Sequence, residues 1–306
     1  MTEQPQDAPE ELVRSQTFDA EGPLELDLDV TVGRVDVRLG DGDVLVEIRH
    51  DPSAQAPWTE GVSSLLSWVG ERFGGQFGGA FGADLTGSPS DAVEQSRIEK
   101  TGNRLVVKGP RPLPLRNTPL AVTVHAPEGS HLNVRTGTAN VTATGTAGRV
   151  DVSTGSGAVD LEGAEGAATV RTGSGAVKLG PLPAGLQLRS GSGDVEARSL
   201  PGPATLATGT GDVWLGEVAG EVLIRTSSGD LSVADAAAGS IEAITGSGDV
   251  RIGVRGGVAA EIDLSSGAGR VSSELDVADT PPEGAVPLTI RARTGSGDAM
   301  ITKAAS

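Results

Sequence analysis

Apolar and polar residues alternate along most of the chain in paired columns, and each pair is followed by the same Gly-rich tetrad. The tetrad reads TGTANV from Thr136, TGSGAV from Thr154 and from Thr172, SGSGDV from Ser190 and TGTGDV from Thr208. It continues as TSSGDL from Thr226, TGSGDV from Thr245, SGAGRV from Ser266 and TGSGDA from Thr294. The successive intervals are 18, 18, 18, 18, 18, 19, 21 and 28 residues, so the chain carries an internal repeat.

Aligning the units exposes the interior. The first apolar column after each tetrad is Val141, Val159, Val177, Val195, Val213, Leu231, Val250 and Val271. Two residues on, it is Ala143, Leu161, Leu179, Ala197, Leu215, Val233 and Ile252. A second pair of columns precedes the tetrad, running from Val150 to Ile290 and from Val152 to Ala292. A weaker column between them holds Thr146, Ala164, Leu182, Leu200, Val218 and Ala236. Apolar positions two apart mark strands, because alternate side chains share a face. A unit this short cannot bury its inner face alone, but stacked copies bury a continuous aliphatic core. The expected fold is all-β: a single-stranded, right-handed parallel β-helix of coils of about 18 residues with a short helical insertion. At ~4.8 Å per coil, about ten coils give a rod of roughly 45–50 Å. The expected organisation is an acidic disordered tail over 1–16, a first coil or N-terminal cap over 17–50, an insertion over 51–97 and the solenoid over 98–306.

Composition fits this picture. Of 306 residues, 45 are glycine, none is cysteine or tyrosine, and 24 Lys+Arg against 41 Asp+Glu leave a net charge of −17. Disulfides, thiolate metal sites and thiol nucleophiles are excluded. The acidic balance argues against a nucleic-acid partner, which needs clustered cations. The glycines are expected at coil corners with positive φ, flanked by Ser, Thr and Asp that hydrogen-bond to the backbone. The aspartates Asp194, Asp212, Asp230, Asp249 and Asp298 recur once per coil, whereas calcium-binding β-rolls repeat theirs every nine residues. A structural corner is therefore preferred to a calcium site. No phosphate-binding glycine motif is present.

The repeated TGSGDV with aliphatic pairs between resembles the DUF4097 β-strand-repeat family, also called putative adhesin or Toastrack domains. The stretches TVGRVDV over 31–37 and GDVLVEI over 42–48 are similar to that family's first coil. The resemblance covers roughly 17–50 and 98–303. It implies a non-enzymatic β-helix, often envelope-anchored and linked to cell-envelope stress, with no active-site residues.

Five of the seven aromatics sit in the non-repeating insertion: Trp58, Trp68, Phe73, Phe77 and Phe81. Trp58, Val62, Leu65, Leu66, Val69 and Phe73 are spaced for one face of an amphipathic helix starting after Pro57. That segment is read first as a cap for the solenoid end, then as a docking or self-association element, and last as a membrane-surface helix. Its polar face lacks the cations that favour anionic lipids.

Arg135, Arg171, Arg189, Arg225 and Arg293 share one column before the corner, interrupted by Ser153, Ala207 and Ile244. The column is read as a solvated face offsetting nearby acids, with a binding stripe for an acidic polymer as the alternative. His50, His125 and His131 have no metal-ligand spacing. The absence of long coil insertions and of aromatic platforms argues against a polysaccharide-cleaving enzyme. The N-terminal stretch lacks a basic start, an apolar run and a cleavage site, which predicts a cytoplasmic chain. The expected function is a non-enzymatic scaffold or interaction module for a protein partner or a second copy. A bactofilin-like polymer and a membrane-surface scaffold are the alternatives, and no cofactor or metal is expected.

Overall fold

The computed structural model of the protein describes residues 12–53, 88–276 and 286–304. Its N-terminal part comprises β1 (Val13–Phe18), β2 (Glu25–Val30), β3 (Gly33–Leu39), β4 (Val44–His50), α1 (Pro89–Glu94), β5 (Arg97–Thr101), β6 (Arg104–Lys108) and β7 (Leu120–Ala126). The repeat region holds β8 (His131–Thr136), β9 (Asn140–Ala147), β10 (Val150–Thr154), β11 (Val159–Ala164), β12 (Ala168–Thr172), β13 (Val177–Pro181), β14 (Leu186–Ser190) and β15 (Val195–Leu200). It continues with β16 (Ala204–Thr208), β17 (Val213–Val218), β18 (Glu221–Ser228), β19 (Leu231–Ala236), β20 (Gly239–Ser247) and β21 (Val250–Val254). The last four strands are β22 (Ala260–Ser266), β23 (Val271–Ser273), β24 (Leu288–Ser296) and β25 (Ala299–Lys303).

Even- and odd-numbered strands of the repeat pair in parallel within two separate sheets, which together with the N-terminal strands count 12 and 13 strands. Each residue pairs with its counterpart one repeat away, as Val150 with Ala168 and Val159 with Val177. The apolar columns face inward between the sheets, where Val170, Leu188, Ile224, Ala197 and Leu215 lie almost entirely out of contact with solvent. Each buried valine, leucine or isoleucine side chain gains ~1.5–3 kcal/mol over an exposed one. The weaker third side is also buried, at Ala164, Leu182, Leu200, Val218 and Ala236. At its first position the structure corrects the alignment: Ala147, not Thr146, pairs with Ala164 and is buried. An irregularity at Gly145, held at φ 84, shifts the register by one residue.

The stack does not follow chain order at its ends. In the 13-stranded sheet β3 lies between β7 and β9, and in the other β2 lies between β6 and β8. The coil β2–β3 is thus inserted behind the later coil β6–β7. The C-terminal end repeats the exchange: β24 sits between β20 and β22, and β25 between β21 and β23. The final coil is therefore the penultimate one in space. This flanks the unit from Ala299 on both sides and corrects one expectation. Val271, expected in the core, is 50% exposed, while Ala299 fills the interior position at 0%.

The N-terminal cap is antiparallel. β1 pairs with β4, β4 with β7, and β5 with β6. Ordered strand begins at Val13, inside the segment expected to be a disordered tail, because β1 pairs with β4 from Val44 to Arg49. Helix α1 buries Ala92 and Val93 in the core, and the Arg14 guanidinium donates to the Glu94 carbonyl at 2.7 Å.

The glycines of the central corners have a different cause from the expected one. Gly157, Gly175, Gly193 and Gly211 do not have positive φ. A Cβ on any of them would come within 1.9–2.1 Å of the carbonyl oxygen of the preceding coil's corner. Close stacking, not left-handed backbone, excludes side chains there.

Candidate interaction surfaces

Inside the corner, Thr154, Thr172, Ser190 and Thr208 are buried and accept hydrogen bonds from the glycine N–H three residues on, at 3.0–3.2 Å. Outside it, the aspartates form a ladder in which each carboxylate accepts the next aspartate's backbone N–H. Asp194 takes Asp212 N–H at 3.1 Å, Asp212 takes Asp230, Asp230 takes Asp249, and Asp249 takes Asp298, each of the last three at 2.8 Å. Asn140 does the same for Ala158 at 2.9 Å. The ladder gives the aspartates a structural task, and no metal-ligating cluster occurs among the described residues.

The histidines are dispersed. His131 Nδ1 accepts the Arg149 N–H at 2.9 Å, His125 lies on β7, and His50 ends β4. His125 lines an open depression of about 390 Å³ with Arg38, Asp41 and Asp43. A second, of about 290 Å³, is lined by Lys108, Arg111, Arg116 and Asp29. On the 13-stranded sheet Trp214 is 43% exposed. Nearby, Arg255 bridges Asp235 and Glu217, and its hydrogen bonds to those carboxylates, Asp235 foremost, push the guanidinium further above its usual range.

The arginine column lies on the outer face of the 12-stranded sheet, with the register expected from the sequence over its central coils. Arg135 pairs with Ser153, Ser153 with Arg171, Arg171 with Arg189, Arg189 with Ala207, and Ala207 with Arg225. Arg225 pairs with Ile244, and the exchanged last coil brings Arg293 directly beside Ile244. Sequence order would have put Ser265 between them. Toward the N-terminal end the same column runs through Asp29, Lys108 and Arg97. That extension was not legible, because these strands lie outside the 18-residue repeat. Arg97 is tied to Glu99, whose carboxyl is lowered chiefly by that hydrogen bond.

Only long, single contacts neutralise the rest: Arg171 to Asp151 at 3.6 Å, Arg225 to Glu242 at 4.0 Å and Arg293 to Asp263 at 3.8 Å. Arg135 and Arg189 have no carboxylate within ion-pair distance among the described residues. The other candidates, Trp58, Val62, Leu65, Leu66, Trp68, Val69, Phe73, Phe77 and Phe81, lie outside the described residues. No helix among the described residues is long and apolar enough to cross a membrane.

Among solved structures, the chain is similar to a putative adhesin from Bacteroides fragilis, at 12% identity over 95% of this chain and 97% of that one, with a TM-score of 0.35. A putative adhesin from Parabacteroides merdae matches at 10% identity over 95% and 96%, with a TM-score of 0.43. A putative cell adhesion protein from Clostridium sporogenes matches at 10% over 96% and 99%, with a TM-score of 0.22. No curated protein matches the chain. The sequence profile of the Toastrack DUF4097 family matches residues 94–302, well over half of the chain, and the protein belongs to that family.

Proposed function

We propose that the protein is a non-enzymatic interaction module, a rigid stack whose outer faces carry the contacts. The observation that supports this is the unbroken register of coils from Val159 to Leu231, where no inserted loop rises from either sheet to build a cleft. The coils are taken to wind right-handed, the hand of nearly all parallel crossovers. The reading draws on the outer faces alone, so it holds on either side of a membrane. It is tested by immobilising the full chain and probing it with arrays of polysaccharides and proteins. Saturable retention with release of unaltered ligand is expected. Retention of nothing, or chemical conversion of what is retained, overturns the reading.

A second reading, end-to-end self-assembly, draws on the terminal coil, where Val271 is 50% exposed and β22 and β23 are the outermost strands of their sheets. Edges like these, paired on their outer side by no strand among the described residues, template pairing with another chain. Sedimentation velocity across concentration decides it, because a strictly monomeric species at high concentration removes it.

A further inference from the structure

The arginine column stands out against the charge of the whole molecule. Over the eight strands from β8 to β24 it contains five arginines and no acid, in a chain of net charge −17. Arg171 and Arg189 are direct rung neighbours, an arrangement that like charges make unfavourable until something neutralises them. Arg171 has one long, solvated contact, to Asp151 at 3.6 Å, worth little at a surface, and Arg189 has none among the described residues. Guanidinium groups stay charged at any working pH and present a planar fork matched to carboxylates.

The spacing narrows the partner. Neighbouring rungs are ~4.8 Å apart, so gaps of two rungs separate Arg135 from Arg171, Arg189 from Arg225, and Arg225 from Arg293. A sugar unit of an extended polysaccharide advances by close to one rung. In a twofold ribbon, carboxylates on one side recur at every second sugar, matching the two-rung gaps; with a carboxylate on every sugar, the one-rung step from Arg171 to Arg189 passes from one side of the ribbon to the other. Beside the column, Thr169, Gln187 and Thr205 stand in register on the same face and offer hydroxyl and amide groups to sugar hydroxyls. The aspartate ladder lies just past the column at the next corner. A wide polyanion, such as a nucleic-acid duplex or an anionic bilayer, would meet that ladder as well, whereas a single-file polymer would meet only Asp151 and Glu242, which share the neighbouring column with the threonines and must give up their long contacts to Arg171 and Arg225.

We propose that the column from Arg135 to Arg293 binds a linear acidic polysaccharide carrying a carboxylate on each sugar, laid along the axis of the stack. This rests on the interaction-module reading and names its partner class.

The test is titration calorimetry of the full chain with oligogalacturonate at about 0.15 M salt, where screening reduces the effect of the overall charge. The column variant is Arg171→Gln/Arg189→Gln/Arg225→Gln. The control, Lys178→Gln/Arg198→Gln/Arg251→Gln, removes the same charge from the other sheet. Melting curves establish that both are folded. The wild type binds saturably, the column variant loses roughly tenfold or more in affinity, and the control stays within about twofold. No binding by the wild type, or equal losses in the two variants, overturns the proposal. Equal or tighter binding of inorganic polyphosphate through the same arginines overturns the polysaccharide assignment. If oligogalacturonate fails while the arrays retain another ligand, only the column assignment falls and the interaction module stands.

Discussion

Each corner residue in this stack answers to the residue one coil away more than to its chain neighbours. Glycine is required at 175 and 193 because a Cβ would collide with a carbonyl below at 1.9 and 2.0 Å. At Gly163 the nearest atom is 3.6 Å away. Gly193→Ala should therefore cost more than ~2 kcal/mol and Gly163→Ala stay within about 0.5 kcal/mol, read from urea midpoints. The aspartate ladder works through acceptance, not charge, as Asn140 shows by making the same bond. Asp230→Asn should leave the midpoint unchanged or raised at low salt. Asp230→Ala should lower it by about 0.5–1.5 kcal/mol, since the Asp249 N–H loses its acceptor. The recurrence of glycine was legible in the sequence; its cause was not, because the contact that forbids a side chain lies 18 residues away.

The unit of construction is the coil. Its strands are five to nine residues long in the central stack, its inner positions are interchangeable aliphatics, and its partners are other coils in the same register. Removing residues 172–189 joins Arg171 to Ser190 without disturbing any column. That deletion should retain a β-type circular dichroism spectrum and cooperative unfolding, with a smaller dependence on denaturant because less surface is exposed. Removing only residues 172–180 takes out most of β13 and leaves one coil too short to close, so β11 and β15 lose the strand between them and a larger fall in the midpoint than for the 18-residue deletion is expected. The strands of this region could be read from periodicity alone. The antiparallel cap could not, because β1, β4 and β5 carry no copy of the repeat.

At the scale of the whole molecule, the two ends depart from chain order in the same way. The sequence does not announce this, because exchanging the last two coils leaves the column pattern intact: Val271 and Ala299 satisfy the same position. The exchange still has energetic weight. Truncation after residue 286 removes strands that pair on both sides, leaving β20–β21 with one neighbouring coil and β22–β23 with none. It should lower the urea midpoint more than the internal 18-residue deletion does, and hydrogen exchange in β21 should speed up.

A plain solenoid pulled by its C-terminus would come apart by peeling, one coil after another, each held along a single edge. Here the C-terminal coil is gripped along two edges, by β20–β21 on one side and β22–β23 on the other. Tension on the C-terminus must therefore break two rows of backbone hydrogen bonds together before the coil slips free. The same geometry holds β2–β3 near the other end, but β1, which precedes it, pairs with β4 alone, so tension on the N-terminus peels β1 first and then meets the doubly held coil.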